Sequence, residues 1–471
     1  MLFNTIDYVI FLPVVIIVYY LIPHKFRWIF LLAASYYFYM SWKVEYIFLI
    51  LFSTLIDYLC GIRMEKLPDK KSRLPWLILS LFTNLGLLFF FKYFNFASEN
   101  LNLFFNKFGI PQELPLMKFL LPVGISFYTF QTLSYSIDVF YGRQKAERHL
   151  GYFALYVSFF PQLVAGPIER FSRLTPQLKE KHTFSYENLA NGLRLILYGL
   201  FIKMVIADNL SGIVDRIYSS PEKFSSLNIL TGIFLYSFQI YSDFYGYSII
   251  AIGSALLMGI KIMDNFKTPY LSKNIAEFWQ RWHISLSTWF RDYLYFPLGG
   301  NRVAKSRWVI NILIVFIASG FWHGANWTFI IWGALYGILY LFENVLNRKF
   351  GLEKKYPKFS TGHIILALKT FIFVSFIWIF FRSQSFNEAI NIFKLLFENR
   401  HVPTSSLNIP SSTWIFLFIF IFSDIILYNK RFDTWVNGLS YIYRWSIYGV
   451  LIFAIVAFAG VENFPFIYFQ F

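Results

Sequence analysis

Apolar residues run along this chain in long stretches parted by short polar gaps. The stretches lie near 5–22, 28–42, 44–62, 74–94, 118–141, 151–165, 188–207, 227–260, 308–346, 364–381, 412–428 and 441–460. A helix needs about 20 apolar residues to cross a hydrocarbon core roughly 30 Å thick, and these stretches meet or approach that length. The pattern predicts an all-α polytopic membrane protein with about 11–13 transmembrane or re-entrant helices. Stretches that are short or interrupted by Pro and Gly are the re-entrant candidates. No long linker and no internal repeat is visible, so residues 1–471 read as a single membrane-embedded domain. The first stretch lacks a basic leader and carries Asp7 and Pro13, which favours a retained span over a signal peptide.

Composition supports this and narrows it. Hydrophobic residues make up 57% of the chain and charged residues 14%. A soluble domain carries roughly 25% charged residues, so there is too little charge here to coat a water-facing particle. Lys and Arg number 42 against 26 Asp and Glu, but they fall in gaps between apolar runs. No basic stripe on a soluble domain exists to bind nucleic acid, and none is expected as a partner. The basic gaps 63–73, 301–307 and 348–358 are assigned to the cytoplasm by the positive-inside rule. Three spans before the first of them put the N-terminus outside. The single cysteine, Cys60, lies in an apolar run and excludes an internal disulfide or a multi-cysteine metal site.

The last two basic gaps enclose 40 residues, 308–347, which must leave the cytoplasmic side and return. A helix over 308–319 rises only about 18 Å. The stretch S-G-F-W-H-G-A-N-W at 319–327 then reads as a break inside the bilayer, with His323 in it. Irregular backbone at that depth is tolerated only against protein or a water-filled cavity, which predicts a wet pocket around His323. Ionisable groups at membrane depth are costly and usually mark function. Residues 274–297 show helical apolar spacing with Glu277, Arg281, Ser285, Thr288 and Asp292 largely on the other side, an amphipathic helix with His283 beside its apolar stripe. Gln239 and Asp243 interrupt another apolar run, as do Asp138 and Lys203. They read either as a cavity wall or as helix–helix hydrogen bonds and ion pairs. No P-loop, hydrolase elbow or dinucleotide fingerprint stands out. A histidine base acting on a hydroxyl is the most economical chemistry, since imidazole titrates near neutral pH. Two histidines without a carboxylate cluster are a weak metal signal, and no metal is expected.

Five stretches together resemble the membrane-bound O-acyltransferases, in particular the bacterial branch that acetylates alginate and other exported polysaccharides. They are F-F-P-Q-L-V-A-G-P-I-E-R (159–170), Q-I-Y-S-D-F-Y-G-Y-S (239–248), F-W-Q-R-W-H-I-S-L-S-T-W-F-R-D-Y-L-Y-F-P-L-G-G-N-R (278–302), G-F-W-H-G-A-N-W (320–327) and F-I-Y-F-Q-F (466–471). Many relatives carry Asp after the second stretch, where Ile249 stands here; this touches the closeness of the substrate match and not the fold. The resemblance implies a ring of tilted spans around a thin centre, with a tunnel from the cytoplasm to an external funnel. It implies His323 as catalytic base and His283 as a second important position. Asp243, Gln239, Trp282, Trp322 and Asn326, within the matching stretches, are the expected substrate contacts. Arg302, Lys305 and Arg307 are expected to hold the donor's phosphates or an acidic carrier face.

The reading that follows is an acyltransferase, acetyl in the leading case, of the bacterial inner membrane. Its donor would be acetyl-CoA or an acyl-carrier thioester in the cytoplasm, with no bound cofactor. The acceptor would be a hydroxyl of an exported polysaccharide or of a periplasmic relay or esterase-like protein. Membrane lipids surround it. Two other readings stand beside this one: transfer of D-alanine from a carrier protein toward teichoic acid, and a polytopic transporter or flippase.

Overall fold

The computed structural model describes the chain apart from residues 119, 165, 351–355, 404–406, 461–465 and 468–471, and apart from the side chains of 348–350. Among the described residues every regular element is helical, as the apolar pattern predicts. Among the described residues seven segments are long and apolar enough to cross a membrane: Val44–Lys66, Lys70–Lys107, Tyr186–Ser219, Lys305–His323, Trp327–Asn347, Thr361–Arg382 and Tyr441–Phe458. Ile6–Leu21 and Ser411–Ile426 are apolar but shorter. The chain is a multi-pass membrane protein.

Other apolar stretches take different forms. The run 151–165 becomes two short helices, Leu150–Ser158 and Phe160–Leu163. The run 118–141 turns helical only at Ile125, because Gly124 at φ +74° turns the chain where a Cβ would overlap the Leu163 carbonyl oxygen. The run 227–260 yields one 32-residue helix, Ser226–Leu257.

The chain divides into two compact units, Met1–Leu193 with Ala251–Met263, and Arg194–Ile250 with Asp264–Phe471. In the first, helices Ile47–Lys66, Lys70–Leu88 and Ile125–Phe140 pack on one another. Their outer side chains, such as Phe48 and Phe82, are exposed apolar groups of the kind lipid solvates. Inside the packing the polar groups satisfy one another. The fully buried Asp57 carboxylate accepts hydrogen bonds from Ser80 Oγ at 2.5 Å and Asn84 Nδ2 at 2.9 Å. Ser53 Oγ in turn donates to Asn84 Oδ1 at 2.6 Å. With no water in the hydrocarbon layer, such groups must find partners on neighbouring helices. The basic gap 63–73 shrinks to a tight turn, in which Asp69 caps the second helix by accepting from the amides of Lys71 and Ser72 at 2.8 and 3.0 Å. Of the gap 348–358, residues 351–355 lie outside the described residues.

Two expectations need correction, and both fall in the second unit. The helix expected to stop near 319 continues through His323, giving 19 residues from Lys305. That is about 28 Å of rise, enough to approach a full crossing. The return helix starts at Trp327, so the chain goes out and back on two nearly complete spans. Ser319 and Gly320 do not break the helix; they let it pack. A Cβ on Gly320 would overlap the Phe329 carbonyl oxygen, and one on Gly333 would overlap the Phe316 carbonyl oxygen. Small residues at such a crossing are how membrane helices approach closely. The second correction concerns 274–297. Instead of one amphipathic helix the structure has Ile275–Arg281, an extended Trp282, His283 in the left-handed region at φ +43°, and then Ile284–Phe290.

Candidate functional site

The break at Trp282–His283 is built by its flanks. Asn274 caps the helix Ile275–Arg281 by accepting from the Glu277 amide at 2.8 Å. Glu277 pairs with Arg281 at 2.9 Å, one turn along. The amide of Ile275 donates to Glu343 Oε2 at 2.7 Å, and Lys369 Nζ lies 2.5 Å from the other Glu343 oxygen, which fixes the helix start to two spans. Beyond the break, Asn265 takes up the chain: its carbonyl accepts from the Ile284 amide at 3.0 Å and its side-chain oxygen from Ser285 Oγ at 2.6 Å. A non-glycine residue at positive φ is uncommon and costs energy that the surroundings must supply. Here Asn265 and the capped helix supply it, and His283 is turned inward.

That turn brings the two histidines together. Their ring centroids are 6.3 Å apart, with His283 fully buried and His323 2% exposed. Phe244 meets His283 edge-on at 4.7 Å. His323 is framed by Trp322 at 4.9 Å, Trp332 at 5.0 Å and Phe381 at 5.4 Å. Burial pushes the His283 imidazole down to about 3, so it is neutral at ordinary pH. A neutral imidazole offers one acceptor nitrogen and one donor N–H.

Of the expected substrate contacts, Trp282 and Trp322 are buried in this aromatic surround. Asn326 is tied into structure: its Oδ1 accepts from the Thr328 amide at 3.0 Å and its Nδ2 donates to the Gln384 carbonyl at 2.6 Å. Gln239 donates to Ser211 Oγ at 2.9 Å. Asp243 lies 2.7 Å from Lys203 Nζ, which also pairs with Asp208 at 2.6 Å, all three buried. Arg302, Lys305 and Arg307 are exposed. Lys305 opens the helix that His323 closes, and 18 helical steps separate them by about 27 Å. The structure therefore joins the histidines and tryptophans and leaves the basic trio at the far end of the helix. Among the described residues no group of three or more His, Cys, Asp or Glu side chains is arranged to hold a metal ion.

Sequence reasoning missed several contributors. Phe244, Trp332 and Phe381 touch the histidines, and Phe466 touches Phe244 at 5.5 Å and Tyr247 at 4.8 Å. The amide of Ile467 donates to Asp243 Oδ2 at 2.7 Å, so the carboxylate that pairs with Lys203 also holds the chain near its C-terminus. The remaining residues of that terminal stretch, 468–471, lie outside the described residues. One signal was available: a lysine and two aspartates within apolar runs must pair to be tolerated there.

Comparison with known proteins sets this geometry in context. The model of the membrane-bound O-acyltransferase family matches residues 31–386. Over 400 residues the chain is 38% identical to the "Probable alginate O-acetylase AlgI" of Azotobacter vinelandii, covering 85% of this chain and 78% of that protein. It is 36% identical over 426 residues to the peptidoglycan O-acetyltransferase of Helicobacter pylori, covering 84% and 79%. Similarity to the teichoic acid D-alanyltransferase of Bacillus subtilis is 32% over 282 residues, covering 56% and 69%.

Proposed function

The chain belongs to the membrane-bound O-acyltransferase family, and from that premise we propose that it passes an acyl group, acetyl in the leading case, from a cytoplasmic thioester to a hydroxyl presented outside. His323 acts as general base. It takes the proton of the attacking hydroxyl as the oxygen adds to the thioester carbonyl. The tetrahedral intermediate collapses, the carbon–sulfur bond breaks, and the imidazolium returns the proton to the leaving thiolate. Such a base is typically worth about 10²–10⁴ in rate. His283 orients the donor thioester. The observation that supports this reading is the inward pairing of the two buried histidine rings at 6.3 Å, which lets both act on one reacting centre at their edges.

Trp282 and Trp322 line the reacting region. Asn326 holds the turn beyond His323, and Asp243 and Gln239 hold the packing behind it. Arg302, Lys305 and Arg307 dock the charged part of the donor, either acetyl-CoA or an acyl carrier. The relatives' names support a glycan hydroxyl as acceptor, reached directly or through a periplasmic relay or esterase-like protein. The protein sits in a bacterial inner membrane with its basic loops inside and its N-terminus outside; cysteine labelling that places residue 70 outside overturns that orientation.

The test is labelled-acyl transfer in proteoliposomes. His323→Ala is expected to lose transfer while keeping its expression and melting behaviour, and full activity in that variant refutes the assignment. A second reading, D-alanyl transfer, is favoured by the similarity to the teichoic acid enzyme. Offering acetyl-CoA, an acetylated carrier and a D-alanylated carrier side by side separates the two. Family membership favours acyl transfer over the transporter reading.

A further inference from the structure

The helix Ile284–Phe290 begins on His283, the position whose side chain ordinarily turns back to accept from the first free amides. A histidine can do this: His149 stands at the same position of the helix Leu150–Ser158, and its Nδ1 accepts from the Tyr152 amide at 3.3 Å. The His283 side chain does not cap its helix. Asn265 caps it instead, from 18 residues upstream. The Asn265 carbonyl takes the Ile284 amide at 3.0 Å, and its Oδ1 takes both the Ser285 amide at 3.2 Å and Ser285 Oγ at 2.6 Å.

These bonds belong to a set that brackets the break. On its other side the Lys267 amide donates to the Arg281 carbonyl at 3.0 Å, and Arg281 Nη1 donates to the Lys267 carbonyl at 3.0 Å. Between them Phe266 meets Trp282 edge-on at 5.0 Å and Phe244 edge-on at 5.0 Å, and Phe244 in turn meets His283. Residues 265–267 thus splint residues 281–285. Asn265 and Ser285 are at most 1% exposed, so water cannot take over their bonds. With the amides of the helix already satisfied, nothing draws the imidazole back along the chain, and the left-handed backbone at φ +43° is held against its strain.

We infer that Asn265 is a positioning residue of acyl transfer: by capping the helix in place of His283, it frees that imidazole to face His323. The inference rests on the acyl-transfer reading above and adds to it a residue that none of the five matching stretches contains. Asn265 acts through His283 and needs no contact with substrate. Without its side-chain oxygen, the Ser285 amide competes for the imidazole, and the ring leaves its place beside His323.

The test is transfer kinetics in proteoliposomes, with whichever donor the wild type accepts among acetyl-CoA, an acetylated carrier and a D-alanylated carrier. Asn265→Ala is expected to lower kcat by about 10–100-fold, the scale of a misplaced reacting group, with donor KM little changed. Asn265→Asp keeps an oxygen for Ser285 and should retain most of the wild-type kcat, since aspartate caps as well as asparagine. Ser360→Ala is the control for lost capping alone: Ser360 accepts from the His363 amide at 3.3 Å at the start of Thr361–Arg382, and its loss should lower the melting temperature comparably while kcat stays at the wild-type level. Wild-type kcat in Asn265→Ala overturns the inference. So does an Asn265→Asp protein as impaired as Asn265→Ala, or a Ser360→Ala protein that loses as much kcat, which would mark the effect as one of stability. If Asn265→Ala does not fold, Ser285→Ala carries the test by losing only the 2.6 Å bond: a several-fold lower kcat supports the inference and wild-type kcat refutes it. Absence of transfer by the wild type from any of the three donors would sink the acyl-transfer reading instead. The placement is then read from the structure of Asn265→Ala, or of Ser285→Ala: rings of His283 and His323 farther apart than 6.3 Å support it, and an unchanged separation refutes it.

Discussion

Lys203 Nζ stands 2.7 Å from the Asp243 carboxylate in a region where both side chains are at most 5% exposed. The turn Phe201–Ala207 winds as a π-helix, and its wider pitch places Asp208 within 2.6 Å of the same ammonium group. One cation thus serves two carboxylates, and the second oxygen of Asp243 accepts from the Ile467 amide at 2.7 Å. Removing the lysine leaves two carboxylates facing each other away from water. Lys203→Met is expected to cost about 3–5 kcal/mol, the range for breaking a buried pair. Asp243→Asn keeps an acceptor for Ile467 and should cost less. Thermal unfolding of the purified protein in detergent checks the order, and a Lys203→Met protein as stable as wild type would show the pair to be dispensable.

Gly320 and Gly333 let two spans touch at their backbones. A Cβ on Gly320 would overlap the Phe329 carbonyl oxygen and lie 3.2 Å from the Gly333 Cα. Backbone cannot swing aside as a side chain can, so Gly320→Ala is expected to destabilise by about 1–3 kcal/mol, the usual cost of overpacking. Because His323 closes the same helix three residues on, activity should fall with stability. Gly449→Ala is the control: nothing lies within 4 Å of its would-be Cβ. Replacing glycine by alanine within a helix there should be neutral or stabilising by about 0.5–1 kcal/mol. Melting temperatures that move together in the two variants would remove the packing explanation.

The basic trio Arg302, Lys305 and Arg307 is exposed at the opposite end of that helix from His323. Lys305 and Arg307 lie about 27 and about 24 Å from His323 along the helix axis, too far for bond making, but surface charge does steer an anionic partner. Replacing all three by alanine is expected to raise KM for acetyl-CoA or an acylated carrier several-fold and to leave kcat nearly unchanged. The defect should narrow as salt is added, since screening weakens exposed charges in the wild type as well. A fall in kcat at unchanged KM would contradict this placement.

The sequence made the spans and the helical class legible, because apolar length and period are local properties. Which face of a run meets lipid was not: Phe48 is exposed and Ile50, two residues on in the same apolar run, is buried. The histidine pairing was legible only through resemblance: forty residues separate His283 from His323, and no periodicity relates them. The chain break at His283 gave no local signal, since no glycine marks the positive φ and the bonds that hold it come from Asn265, 18 residues upstream. Gly320 misled for a physical reason: a small residue that ends a helix and one that lets two helices meet look the same in one dimension. Asp243 was ambiguous between cavity wall and ion pair until Lys203 and Ile467 stood beside it.

Burial of His283 also sets a dependence on acidity. Its imidazole is pushed down to about 3 by loss of solvent, whereas an unfolded chain carries histidine near 6.5. Between those values the unfolded state binds a proton that the folded state does not. Stability contributed at this site is therefore present above about 6.5 and is lost as pH falls toward 3. At pH 5 the accumulated loss is about 2 kcal/mol, from 1.36 kcal/mol per unit over the upper part of that window. His283→Asn removes the titrating group with a residue that tolerates the left-handed backbone. Unfolding free energies of wild type and variant at pH 7 and pH 5 give the comparison, and the variant should lose about 2 kcal/mol less on acidification. An equal loss in both proteins would mean that His283 takes up its proton in the folded state, and that the site around it admits water.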